Sequence, residues 1–107
     1  MRDCLFCQII RGEKPADHVY KGETVIAFDD IRPQAPVHIL VVPRKHIRSI
    51  NDMQDDDRPV IAELIYTAKR LATEKGIRES GYKLVFNVER GAGQYIFHLP
   101  LHLIGGW

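Results

Sequence analysis

No stretch of this sequence is apolar for long enough to cross a bilayer; every run stops well short of the roughly 18 residues a spanning helix needs. Excess charge is missing too. Fifteen lysines and arginines face 14 aspartates and glutamates, a net charge of +1. Composition therefore supplies no electrostatic footprint for nucleic acid or a membrane surface. The one basic gathering, "PRKHIR" at Pro43 to Arg48, reads as a solvated face. Repeats, low-complexity tracts and linkers are absent. At 107 residues, 45% apolar and 27% charged, the chain is expected to form a single domain, 1–107, with one core. The N-terminal "MRDCLFCQII" has too short an apolar part for a signal peptide, interrupted early by Gln8, so a cytoplasmic protein with reduced thiols is expected. Cysteine is scarce. The only two, Cys4 and Cys7, form a C-x-x-C, which fits a redox pair or simply two small buried residues.

The elements are legible in order. "CLFCQIIRG" places Leu5, Phe6, Ile9 and Ile10 at helical spacing, with Asp3 as cap and Gly12 as terminator. "HVYKGETVIAFDD" carries two β-rich runs about Lys21-Gly22-Glu23, a hairpin signal. "IRPQAP" is a proline-punctuated loop, and "VHILVVP" a mostly apolar strand closed by Pro43. In "DDDRPVIAELIYTAKRLATEKG", aspartates and Pro59 mark a helix start, and Gly76 its stop. Ile61, Leu64, Ile65, Ala68, Leu71 and Ala72 form its apolar stripe. Tyr82 to Val88 reads as a strand, "ERGAGQ" as a glycine-bearing loop, and Tyr95 to Ile104 as the last strand. Strands with segregated helices predict an α+β fold with an antiparallel sheet of about five strands, one long helix and one short.

Along that last strand, side chains alternate faces. Tyr95, Phe97, Leu99, Leu101 and Leu103 make an apolar, core-directed face. His98, Pro100 and His102 share the other, away from the core. Two histidines at this spacing fit a site and surface imidazoles equally well. Proline inside a strand is the second oddity, because it removes a ladder donor and is usually confined to edges and bulges.

With "CLFCQII", "VIAFDDIRPQAPVHILVVPRKHI", "GYKLVFN" and "GAGQYIFHLPLHLIGG" in this order and spacing, essentially the whole chain resembles the histidine triad (HIT) family. The resemblance is to its branch of small dimeric nucleotide-binding, phosphoramidase-like proteins. The family signature, His-φ-His-φ-His-φ-φ after Gly-Gln, here reads His98-Leu99-Pro100-Leu101-His102-Leu103-Ile104. In active members the middle histidine attacks the α-phosphorus and forms a nucleotidyl-imidazole that water then hydrolyses. Here that position is Pro100, which has no side-chain lone pair with which to attack.

The resemblance implies the rest of the site. Asp30 would hold the ribose hydroxyls, a task suited to an acceptor-only carboxylate; on its own it fits a turn-forming aspartate as well. Leu5, Phe6, Ile9, Phe28 and Ile31 correspond to the apolar base cleft, and equally read as core. Phosphate contacts would come from Asn87, Gly93, the "ERGAGQ" loop with Gln94, and His102. Tyr95 stands where a small hydroxyl residue often donates, and its bulk disfavours that contact. His38 matches a fourth, buried histidine that supports the site's hydrogen bonds.

Several bacterial relatives bind zinc through positions matching Cys4, Cys7, His46 and His98. That implies a structural Cys₂His₂ zinc site here, with no open place for a catalytic water. The fold implied is HIT-like, with two half-sheets joined in a homodimer by the long helix and a central strand. The sequence stops at Trp107, where relatives run on with a tail to the partner's pocket, so weak leaving-group specificity is expected. The expected function is binding of purine nucleoside monophosphates or their conjugates, with lost or impaired nucleophilic chemistry. The alternatives are an active nucleoside phosphoramidate hydrolase and a zinc-stapled dimer acting through partners.

Overall fold

A computed structural model describes residues 4–107. Five strands form one antiparallel sheet: β1 (His18–Lys21), β2 (Val25–Asp29), β3 (Val37–Pro43), β4 (Tyr82–Val85) and β5 (Leu101–Gly105), in spatial order β1-β2-β3-β5-β4. The short helix α1 (Leu5–Ile10) precedes the sheet and the long helix α2 (Arg58–Glu74) joins β3 to β4. The α+β architecture read from the sequence is the one observed. The expected cap, Asp3, lies outside the described residues; the cap seen is Cys4, whose Sγ accepts the Cys7 N–H at 3.3 Å.

The sheet is covered on both faces, which explains why β2 and β3 are nearly continuous in apolar residues instead of alternating. On one face Val25, Ala27, Ile39, Val41, Leu101 and Leu103 meet Leu64, Ala68, Leu71 and Ala72 of α2. On the other, Ile26, Phe28, Leu40 and Val42 meet Phe6 and Ile9 of α1. Full burial of a side chain such as Leu64 contributes about 1.5–3 kcal/mol. Ile65, part of the same apolar stripe, is 42% exposed, because the stripe is wider than the contact with the sheet. Helix α2 ends where Gly76 adopts φ +74° and Ile77 N–H bonds the Ala72 carbonyl at 3.0 Å, a left-handed closure that suits glycine.

The last strand corrects the sequence reading. It runs from Leu101 to Gly105, not from Tyr95. Its ladder to β3 ends at Val41↔Leu101, one residue short of Pro100, which has no N–H to donate. Beyond it the chain leaves the sheet: Leu99 N–H bonds the Ile47 carbonyl at 2.8 Å, and Tyr95, expected in the core, is 78% exposed. Strand β4 is shortened in the same way. Its last partner on β5 is His102, so pairing stops at Val85, before the expected Val88. The face that carries His98 and His102 is no outer face either. Helix α1 turns it into a second core layer, and His98 is fully buried.

Candidate functional site

Two clusters of titratable side chains stand on the α1-covered face. The first contains Cys4, Cys7, His46 and His98, with one potential ligand atom from each within 4.8 Å of all the others. The C-x-x-C places both sulfurs on the first turn of α1. His98 Nδ1 lies 3.4 Å from Cys4 Sγ and 3.4 Å from Cys7 Sγ, and His46 Nδ1 lies 3.3 Å from Cys7 Sγ. A tetrahedron with Zn–S near 2.3 Å and Zn–N near 2.0–2.1 Å requires sulfur–nitrogen edges of about 3.5 Å. The tautomer fits as well. His98 Nε2 is 2.7 Å from the Pro43 carbonyl, which only accepts, so the ring proton sits on Nε2. The Nδ1 lone pair therefore faces the sulfurs, the arrangement found when a backbone carbonyl orients a ligating imidazole. Burial pushes the His98 imidazole down to about 4, against the pull of its bond to Pro43, so the ring is neutral near pH 7. Burial, then the neighbouring Cys4, raises the Cys7 thiol. A soft dication would reverse that by coordinating the thiolates.

The second cluster is Asp30, His38 and His102. His38 is 3% exposed on β3, and His102 projects from β5 beside Leu40, its partner in the ladder. The hydrogen bonds run one way. Gln34 N–H donates to His38 Nδ1 at 3.0 Å, which leaves the proton of the neutral ring on Nε2. That Nε2–H lies 2.9 Å from His102 Nδ1 and 3.4 Å from Asp30 Oδ2. His102 Nδ1 therefore accepts, and its own proton sits on Nε2. Asp30 Oδ1 accepts the Arg32 N–H at 2.8 Å, the turn bond expected of an aspartate before a proline loop. Two histidines and a carboxylate suggest a second metal site. The Gln34 amide excludes it: with Nδ1 occupied, His38 would have to lose its Nε2 proton and become an imidazolate to ligate. Burial holds both rings below the ordinary imidazole range; for His102 the neighbouring His38 adds to this, while Asp30 opposes the shift in both.

The other residues picked out in the sequence divide. Phe6, Ile9 and Phe28 are buried in the second core layer, with the Phe6 and Phe28 rings edge to face at 5.4 Å. Leu5 is 39% exposed and Ile31 88% exposed, so neither is core. Asn87 Nδ2 reaches the Gly93 carbonyl at 3.5 Å. Gly93 has φ +93°, and a Cβ there would come within 3.1 Å of that same amide, so glycine is required. Gln94 is buried, and its side chain is fully engaged: Oε1 accepts the Glu89 N–H, and Nε2 donates to the Arg48 and Ile96 carbonyls. These bonds shape the loop from a buried position. Pro100 is buried between the two clusters in sequence.

Sequence reasoning missed the clamp that holds this loop. Glu89 sits at φ +72°, and its carboxylate takes two bonds from Arg48, one from the Ser49 hydroxyl and one from Asn51 Nδ2. Arg48 holds the carboxyl down to about 2. Arg48 and Arg90 also lie over the Phe97 ring, at 4.7 and 5.6 Å, a cation–π pairing that pins the segment leading to His98. Residues 41 apart in sequence leave no local signal for such a contact.

Residues 3–106 match the family described as "Scavenger mRNA decapping enzyme C-term binding". The chain is 41% identical over 104 residues to the purine nucleoside phosphoramidase of Escherichia coli (strain K12), covering 97% of this chain and 87% of that protein. Among solved structures it is similar to a HIT family hydrolase from Legionella pneumophila Philadelphia 1, with TM-score 0.96, 51% identity, and coverage of 98% and 94% of the two chains. It is also similar to a zinc-bound histidine triad family protein from Mycobacterium smegmatis, with TM-score 0.83, 31% identity, and coverage of 96% and 74%.

Proposed function

The chain belongs to the histidine triad family, and from that premise we propose that it binds a purine nucleoside monophosphate, or a conjugate of one, with its bond-forming chemistry lost or severely impaired. The supporting observation is the direction of the hydrogen bonds around the triad strand. The position between His98 and His102 is Pro100. His98 turns its lone pair to the sulfurs, and His102 accepts from His38 and so carries its proton on Nε2. No imidazole of the triad strand is left with a free lone pair for phosphorus. His102 instead offers an N–H, a group that supports a phosphoryl oxygen by donation.

Asp30 keeps acceptor capacity on both oxygens beyond the Arg32 amide, enough to take two ribose hydroxyls. Exposed Ile31 and partly exposed Leu5, beside the buried rings of Phe28 and Phe6, would form an apolar seat for a base. We assign the phosphate contacts to Asn87 and the left-handed turn at Gly93, which lie against each other. Cys4, Cys7, His46 and His98 are suited to hold zinc as a closed structural centre, fastening α1 to the segment after the Gln94 loop. In the same reading the chain is a single domain, resides in the cytoplasm, where the thiols stay reduced, and pairs with a second copy through the β4 edge and α2. Leu84 of β4 and Ile65 of α2 are 38% and 42% exposed and supply apolar surface for that contact.

The relative named a purine nucleoside phosphoramidase favours a second reading, an active hydrolase that bypasses Pro100. One comparison separates the two. With adenosine 5′-phosphoramidate, wild type is expected to show no measurable turnover while calorimetry shows AMP binding. Pro100→His is expected to gain at least about 10³-fold, in keeping with the cost of losing a nucleophile in other enzymes. Amine release by the wild type, or a trapped nucleotidyl-protein, establishes the second reading and removes the first.

A further inference from the structure

His18 belongs to neither cluster. It lies on β1 directly across the ladder from Phe28 of β2, so the two side chains share the α1-covered face. Its ring meets Phe28 edge to face at 6.1 Å, and Phe28 meets Phe6 at 5.4 Å. An imidazole thus stands in a wall that is otherwise apolar. Its Nδ1 is sealed from solvent and has no hydrogen-bond partner among the described residues. A branched aliphatic side chain would line the same wall with no such orphan.

The tautomer follows from that orphan. A proton on Nδ1 would bury a donor with nothing to accept it, whereas a bare ring nitrogen against Phe28 is the lesser cost. The proton therefore sits on Nε2, on the less buried side of a half-buried residue, and no hydrogen bond among the described residues engages it. Burial, reinforced by Lys21 and Arg44, keeps the ring below the ordinary imidazole range and so neutral near pH 7.

We propose that His18 reads the nucleobase, its Nε2–H donating to a lone-pair acceptor on the edge of a purine seated against Phe28. This rests on the nucleotide-binding reading above and adds to it a polar determinant in an apolar cleft. A site that hydrogen-bonds its ligand discriminates more sharply than one that only encloses it.

The test is calorimetric titration of AMP and of GMP into the zinc-loaded, full-length wild type, His18→Leu and His18→Gln. Leucine fills the wall without a donor; glutamine restores an N–H. His18→Leu is expected to weaken AMP and GMP roughly three- to ten-fold, the weight of one neutral hydrogen bond, and His18→Gln to recover most of it. A loss confined to GMP also supports the proposal and assigns the acceptor to the guanine carbonyl. Unchanged affinity of His18→Leu for both nucleotides overturns it while leaving the nucleotide reading standing. Equal losses in both variants overturn it too, since the donor then does not matter. A wild type that binds neither nucleotide overturns both readings together.

Discussion

The two histidine clusters share a sheet face and a residue type, yet their imidazoles are set to opposite tasks by the backbone group each one meets. His98 gives its Nε2 proton to the Pro43 carbonyl and so presents a lone pair to two sulfurs. His38 receives the Gln34 amide on Nδ1 and so presents a proton to His102 and Asp30. A carbonyl behind the ring makes a ligand; an amide behind it makes a donor. Residue type and spacing alone do not separate these outcomes.

The largest expected effect separates the clusters by metal. Elemental analysis is expected to find about one zinc per wild-type chain, none in Cys7→Ser, and an undiminished amount in His38→Ala. Because metal binding is coupled to folding, Cys7→Ser or a strong chelator is expected to lower the melting temperature by more than about 10 °C. Zinc lost equally on His38→Ala would erase the distinction. A wild type that is metal-free and no less stable than Cys7→Ser would remove the ligand side of it.

How far the sequence discloses these arrangements depends on the range of the interaction. Helix α2, the β1–β2 hairpin about Gly22 and the order of elements follow from local periodicity and turn residues. The donor set Cys4, Cys7, His46 and His98, implied by resemblance, does come together. The extent of the last strand does not follow from its pattern, because alternation continues through Pro100 while pairing depends on an N–H that proline lacks. Alternation gave His98 and His102 a common face, but it could not show that α1 would bury that face. Tautomers, the Glu89 clamp and the orphaned His18 nitrogen are long-range facts. Each depends on which backbone or side-chain group arrives from a distant segment, and no spacing rule encodes that.

A smaller effect lies in pH. Burial lowers both His38 and His102, so both stay neutral in the fold at pH values where the unfolded chain, with imidazoles near the ordinary 6.5, already takes up protons. Between that value and the lower folded values the unfolded state binds more protons. The stability these rings contribute is therefore complete above about pH 6.5 and declines as pH falls through that window. Proton NMR of the ring C–H groups is expected to give midpoints below 6.5 for both. A midpoint above 6.5 for His38 would mean that Asp30 outweighs burial, and that the ring holds a second proton and no longer accepts from Gln34.

The smallest effect isolates Asp30, whose carboxylate touches one cluster only. It stabilises the protonated forms of His38 and His102, opposing their burial. Asp30→Asn is therefore expected to shift both midpoints further down and to leave zinc content unchanged. The Arg32 amide keeps an oxygen acceptor at Asp30 Oδ1, so the turn persists and little stability is lost. AMP affinity is expected to fall, since an amide accepts through one atom where a carboxylate accepts through two. Midpoints that rise would mean that the carboxylate does not face the His38 proton, and the one-way chain from Gln34 to His102 would lose its acidic branch.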